Sequence, residues 1–353
     1  MLYHFLFTIA KNYFSEENDR ESALRVSMEK EKNRKTDPKE THERSIIIVG
    51  SKSVGKTTMV NRFLEKDEKP KPTIAMEYSF GRKAGKSLVK NIVHVWEIGY
   101  VSSSLISAAM SGSALTHSPH HTTLLMMLDL SKPEVLWITF EDILSAVRSA
   151  LKMSHNSKLI NEMIEYRTRE RKSVENMTDH LPLKTFIIGG KYDEFQDFDL
   201  DKKEVIGKTL RAIAHSLGAG LHYYSCKEKI LLRKTKDLLS HVGFGAVLAE
   251  GKFTSYDKPL IISPGADSFT SIDLQLPYSK PSMILDTIKQ TFVVRVPQIT
   301  RNDESTLEDP SNDPNFNEPI IDKLKVQREE EISILLDDML NGRTQQIPIP
   351  DPI

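Results

Sequence analysis

The stretch IIIVGSKSVGKTT, Ile46–Thr58, decides how the rest of the chain is read. Its opening run of branched apolar residues, Ile46 to Val49, is what a strand buried on both faces carries. Directly after it comes G-x-x-x-x-G-K-T, Gly50–Thr57, and then a stretch with helical character. A strand before and a helix after give that spacing its phosphate-binding meaning. Gly50 and Gly55 let the backbone wrap an anion, so that successive N–H groups and the helix N-terminus face it. Lys56 is placed to reach the β- and γ-phosphates, and Thr57 to hold Mg²⁺ when a nucleotide is bound. The candidate nucleotide contacts here are Gly50, Ser51, Ser53, Val54, Gly55, Lys56, Thr57 and Thr58.

Outward from this loop, short apolar runs alternate with helical periodicity. Further strands are predicted at Ile74–Phe80, Ile92–Trp96, Thr123–Leu128, Thr185–Ile188 and Leu221–Tyr224. Leu136, Phe140, Leu144, Val147 and Leu151 share one helical face, and so do Ile206, Leu210, Ile213 and Leu217. Such alternation predicts an α/β fold: a mostly parallel central sheet with helices on both faces. The polar stretch from about His155 to Asp179 is too long for an ordinary connection and reads as an inserted helix.

Five further elements bear on which P-loop protein this is. Pro72-Thr73-Ile74 before a strand resembles the switch I region of Ras-like GTPases, where a Thr contacts Mg²⁺ and the γ-phosphate. Glu97-Ile98-Gly99-Tyr100 stands in the place of that family's D-x-x-G, with Glu for Asp, Tyr for Gly and no Gln after it to orient a water. Gly190-Lys191-Tyr192-Asp193 stands where the guanine-reading N-K-x-D belongs, and Ser225-Cys226-Lys227 where the S-A-K loop belongs. Asp193 can still accept from guanine, and the Lys191 stem can stack on a base, but the Asn amide is replaced by Gly190. Asp129, ending the run LLMMLD, reads as a structural strand terminus or as a Walker B acid. Without an oriented water or an identifiable arginine finger, the large part of GTPase acceleration is missing. A binder of GDP or GTP with Mg²⁺ that turns over slowly or not at all is the physical expectation, with an empty fold as the alternative.

Composition narrows the classes further. The 353 residues carry 48 Lys+Arg against 49 Asp+Glu, a net charge of −1, and 39% are hydrophobic. Balanced charge argues against nucleic acid or an acidic membrane as main partner. The one cysteine, Cys226, allows no intrachain disulfide and fits a reducing, intracellular setting. Met1–Phe14 is apolar but has neither the basic start nor the cleavage site of a signal peptide. The longest apolar runs, such as Leu124–Leu128, fall far short of the ~20 residues of a membrane helix, so no membrane insertion is expected. Leu2 and the terminal IPDPI offer no lipidation site.

The organisation expected is an N-terminal helix and charged linker over 1–44, with Leu6, Ile9, Ala10 and Phe14 on one face. A P-loop domain follows over 45–245, then an extension packed on it over 246–300. Residues 301–353 read as a flexible tail holding an amphipathic helix at about 320–341, with Ile332, Leu335, Leu336, Met339 and Leu340 in its stripe and Asn341-Gly342 as its cap.

With those elements in hand, the chain resembles the light intermediate chains of cytoplasmic dynein, most closely those of dynein 2, the ciliary motor of retrograde intraflagellar transport. The resemblance rests on GSKSVGKTT (50–58), EKPKPTIAMEYSFGRKA (68–84), HVWEIG (94–99), LDLSKPEVLW (128–137), GGKYDEFQDFDLDKKEVIGKTLRAIAH (189–215), KPLIISPGADSF (258–269) and DPSNDPNFNEPIIDKLKVQRE (309–329). It runs in order from about residue 45 to 330. It implies a Ras-like domain with helical N- and C-terminal extensions that dock on the dynein 2 heavy chain. It implies a non-catalytic role beside the other dynein 2 subunits and the intraflagellar transport machinery, in cytoplasm, cytoskeleton and cilium (axoneme and basal body). Only Gly50, Gly55, Lys56, Thr57 and, more weakly, Lys191 and Asp193 carry over as nucleotide contacts. Two other readings stay open on the residues: a small Ras-like GTPase switch in membrane or ciliary trafficking, and a P-loop kinase or ATPase using Asp129.

Overall fold

The computed structural model describes residues 41–84, 90–116, 119–170, 180–248, 251–273, 281–299, 314–316 and 318–342. The helix expected at 1–14, most of the linker after it and residues 171–179 of the insertion lie outside the described residues.

The run around Ile46 forms β1, Glu43–Gly50, whose last six residues are all buried. After the phosphate loop, α1 covers Lys56–Leu64, followed by β2, Met76–Ala84, and β3, Lys90–Ile98. Next come α2, Ser103–Thr116, β4, Thr122–Asp129, and α3, Leu136–Ser154. The insertion contains α4, Ser157–Glu170, which is not purely polar: Met163 and Arg167 are both buried. Then follow β5, Lys184–Gly190, α5, Tyr192–Phe195, α6, Leu200–Leu217, β6, Gly220–Tyr223, and α7, Lys229–Phe244. All six strands read from the sequence are present. β2 begins two residues later than its apolar run and continues to Ala84, because Thr73–Ala75 form a loop seated on Gly99.

The sheet runs β2-β3-β1-β4-β5-β6-β8-β7. Pairing is parallel from β3 through β1, β4 and β5 to β6, while β2 returns antiparallel beside β3. At the far side β8, Ile261–Ile262, adds to β6 antiparallel, and β7, Lys252–Phe253, adds to β8. Both sheet faces are apolar, as a buried parallel sheet requires. Ile47, Val49, Leu124 and Met126 face α2, α3 and α6; Ile46, Ile48, Leu125 and Met127 face α1 and α7.

The chain after β8 packs on α6. Short α8, Phe269–Ile272, carries a capping box between Ser268 and Ser271. Longer α9, Pro281–Arg295, buries Ile284, Ile288 and Phe292, one face at steps of four. The residues from Asn302 onward form a second unit. Within it α10, Pro319–Leu340, follows Pro at its first position and ends at Gly342, whose φ of +67° suits a left-handed cap. The stretch LKVQREEE lies inside this helix. Ile332, Leu335, Leu336 and Met339 on it are exposed.

Candidate functional site

The phosphate loop joins the end of β1 to the start of α1. Gly55 takes φ +101° and starts the helix, a conformation that costs a side-chain-bearing residue heavily. Ser53 is also left-handed, at φ +61°. Along the loop Ser53 is exposed and Ser51, Gly55 and Thr58 are partly exposed, whereas Val54 is turned into the core. Lys56 is 6% exposed and turned back on its own loop, its Nζ donating to the carbonyls of Gly50 (3.0 Å) and Ser51 (2.9 Å). Burial lowers its pKa to about 8 against the opposing pull of Glu97.

Glu97, near the end of β3, takes both hydroxyls that the sequence assigns to Mg²⁺. Thr57 Oγ1 donates to Glu97 Oε1 at 2.6 Å, and Thr73 Oγ1 donates to the same oxygen at 3.0 Å. The carboxylate therefore ties the first turn of α1 to the loop before β2. The two residues after it reinforce the closure. Gly99 N–H donates to Ala75 carbonyl at 2.8 Å, and a Cβ at Gly99 would fall 2.2 Å from the Thr73 carbonyl. Burial raises the Glu97 pKa, while Thr57, Thr73 and Lys56 each pull it down. Glutamate is one methylene longer than the family's aspartate, which suits it to span both hydroxyls. Sequence reading placed Glu97 in the loop but not in this bridging role.

The base-reading residues are likewise bonded to each other. Lys191, left-handed at φ +56°, pairs through Nζ with Asp129 Oδ2 at 2.8 Å. The other oxygen of Asp129 accepts from Ser131 N and Oγ at 3.0 and 2.6 Å. Asp129 thus terminates its strand structurally, the first of the two roles its position allowed. Asp193 receives Ser225 Oγ on Oδ1 at 2.7 Å and Lys227 Nζ on Oδ2 at 2.5 Å. Burial acts to raise its pKa, but those two donors outweigh it and the net direction is down. The structure brings Asp193 together with Ser225 and Lys227, as the motif order implies, and Lys191 instead with Asp129.

The loop backbone is shaped for an anion. Lys56, Thr57, Lys191 and Asp193 are each hydrogen-bonded or ion-paired within the chain, while the oxygens of Thr57 and Asp193 keep lone pairs that suit a metal ion and a base N–H. Among the described residues no group of three or more His, Cys, Asp or Glu side chains is placed to hold a metal, and no helix is long and apolar enough to cross a membrane. Cys226 is exposed beside Ser225.

Sheet order, phosphate loop and flanking helices define the class: a P-loop α/β protein of Ras-like type. A solved structure described as the dynein light intermediate chain's conserved domain shares the fold, with a TM-score of 0.53 at 14% identity over 71% of this chain and 91% of that one. No protein-family model matches the chain. Curated relatives include the cytoplasmic dynein 2 light intermediate chain 1 of Homo sapiens, 35% identical over 316 residues, with 84% of this chain and 88% of that protein covered. The protein of that name from Danio rerio is 33% identical over 308 residues, covering 82% and 84%. The chain belongs to the cytoplasmic dynein 2 light intermediate chain family.

Proposed function

We propose that the chain serves as a non-catalytic subunit of the dynein 2 motor, binding and stabilising the dynein heavy chain. In that role it works beside the other dynein 2 subunits and the intraflagellar transport machinery, and supports retrograde transport and the assembly and maintenance of cilia. Its places of action are the cytoplasm, the cytoskeleton and the cilium, including axoneme and basal body. The observation that carries this reading is family membership spread over 82–84% of the chain rather than confined to the phosphate loop. The site supports the non-catalytic part, since Glu97 and Tyr100 stand where the Ras-like pattern has Asp and Gly, and no Gln follows to orient a water.

Nucleotide is an optional ligand on this reading. GDP or GTP would rest its phosphates on the backbone of Gly50–Thr58, with Lys56 turning from the carbonyls of Gly50 and Ser51 to meet them. Thr57 gives its one hydroxyl proton to Glu97 and keeps its oxygen lone pairs, so it would ligate Mg²⁺ with that hydrogen bond intact. Asp193 would accept from guanine on the lone pairs left free by Ser225 and Lys227, and the Lys191 stem would stack on the base while its Nζ stays with Asp129.

Pull-down of the tagged chain from ciliated cells is expected to recover dynein 2 heavy chain, and depletion to leave cilia short or swollen at their tips. Normal cilia together with no heavy chain in the pull-down would end this reading. Lys56→Ala is expected to leave heavy-chain recovery largely intact. Brisk GTP turnover, or strong nucleotide dependence of heavy-chain recovery, would favour a GTPase switch instead.

A further inference from the structure

One strip of the sheet has no helix over it among the described residues. On the face covered by α2, α3 and α6, β2 presents Met76, Tyr78, Phe80 and Arg82 opposite Ile98, Trp96, His94 and Ile92 of β3. α2 covers the upper end of this ladder, where Trp96 packs into the space left by Gly112. Below it, Tyr78 and Phe80 are 46% and 49% exposed. The two rings stack at 6.4 Å, and Tyr78 leans on Trp96 at 4.7 Å. The Tyr78 hydroxyl and His94 Nδ1 are hydrogen-bonded at 2.8 Å, so the ring is already fixed in place. Fixed, half-exposed aromatics of this kind are the side chains that dominate protein interfaces.

The strip is polarised. Its lower end carries Arg82, whose guanidinium lies 5.0 Å from the Phe80 ring centre, and exposed Lys90. The carboxylate nearby, Glu43, faces His94 at 3.8 Å. Across the parallel part of the sheet this face is roofed by helices: α2 over β1 and β3, α3 over β4, α6 over β5 and β6. A sheet face beside an existing helix is filled by another helix lying roughly alongside it.

We propose that the Tyr78–Phe80 strip docks an amphipathic helix of the dynein 2 heavy chain. That helix lies beside α2, sets an apolar stripe on Tyr78 and Phe80, and brings carboxylates to Arg82 and Lys90. The assignment rests on the reading of the heavy chain as partner and adds the surface and the chemistry of the contact.

The test uses the full chain co-expressed with the dynein 2 heavy-chain tail. Tyr78→Ser with Phe80→Ser is expected to cut heavy-chain recovery at least tenfold. Met153→Ser with Ile230→Ser, removing two exposed apolar side chains elsewhere, is expected to leave recovery unchanged. Arg82→Glu is expected to weaken recovery severalfold, and more at low salt than at high. A photo-crosslinking benzoylphenylalanine placed at position 80 of the otherwise unchanged chain tests the contact without dependence on how the serine variants fold. It is expected to join a heavy-chain helix with acidic residues beside its apolar stripe. A crosslink to a second copy of this chain, or to no protein at all, overturns the proposal, as does full recovery by the double serine variant. Failure of the unaltered chain to recover heavy chain overturns the partner reading, and this assignment with it.

Discussion

Gly190 stands where a guanine-reading asparagine would be, and the cause is steric. A Cβ at this position would meet Val54 Cγ2 at 2.8 Å and the Val54 carbonyl at 3.0 Å. Val54 is 2% exposed and belongs to the core on the α1 side of the sheet. The phosphate loop has therefore turned one of its variable positions inward, and the base loop has given up a side chain to make room. Gly190→Asn is expected to destabilise the fold by ~1–3 kcal/mol, the usual range for overpacking, without strengthening GDP binding. Val54→Ala in the same chain removes the clashing methyl and should recover part of that loss. Urea unfolding and calorimetric titration with GDP check both. A Gly190→Asn chain as stable as the parent would show that Val54 moves aside freely. The N-K-x-D pattern shows the missing amide at once, but not its cause, because Val54 and Gly190 meet only after β1 and β5 have been placed either side of β4.

At the scale of elements, the segment between β7 and α8 is tied to α6 by one buried ion pair. Arg211 on α6 grips Asp267 with two bonds of 2.8 Å, Nε to Oδ2 and Nη2 to Oδ1. The same guanidinium donates to the Tyr256 hydroxyl at 2.7 Å, so two residues between β7 and α8 converge on one side chain. Asp267→Ala leaves that guanidinium buried and is expected to cost about 3–5 kcal/mol, the range for breaking one side of a buried pair. Hydrogen exchange should show the loss first around β7, β8 and α8; uniform exchange across the chain would mean the pair does not hold this segment in particular. These elements were also the least legible. β1, β3, β4 and β5 announce themselves as apolar runs because both their faces are buried. β7 and β8 are two residues each; the apolar run Leu260–Ile262 marks β8 without saying that it is a strand, and no local pattern marks β7, which pairs with β8 alone. α9 was readable in principle, since Ile284, Ile288 and Phe292 fall at steps of four, but Pro281 and the polar residues between them break up the run. In the site, the glycine-rich loop was legible because a local spacing encodes it. The Glu97 bridge was not, because its three members come from three separate segments.

Over the whole molecule, a fold of this composition should show its buried histidines in its response to acid. The chain carries nearly equal numbers of opposite charges, so bulk charge repulsion is small near neutrality. Individual groups then dominate. His222 on β6 is fully buried, with Nε2 hydrogen-bonded to Thr235 Oγ1 at 2.9 Å, and burial lowers its pKa from 6.5 to about 4. Below pH 6.5 the unfolded chain takes up this proton while the folded one does not until about 4, so stability falls across that interval and levels off below it. Burial lowers His94, His155 and His241 in the same direction. Asp267 acts later. Burial works to raise its pKa, but Arg211 and Ser271 prevail and bring it to about 2 from 3.8, so its contribution is present above pH 3.8 and is lost as pH falls toward 2. Acid unfolding is therefore expected in two stages, the histidines first and the Arg211–Asp267 pair second. His222→Gln should reduce the slope of stability against pH between about 6 and 5 by roughly one proton, or ~1.4 kcal/mol per pH unit, whatever it does to stability at neutral pH. Urea unfolding at half-unit pH steps measures this slope directly. An unchanged slope would mean that the β6 imidazole takes up its proton in the folded state as readily as in the unfolded chain, and that the strand and its neighbours β5 and β8 open to water well before the fold is lost.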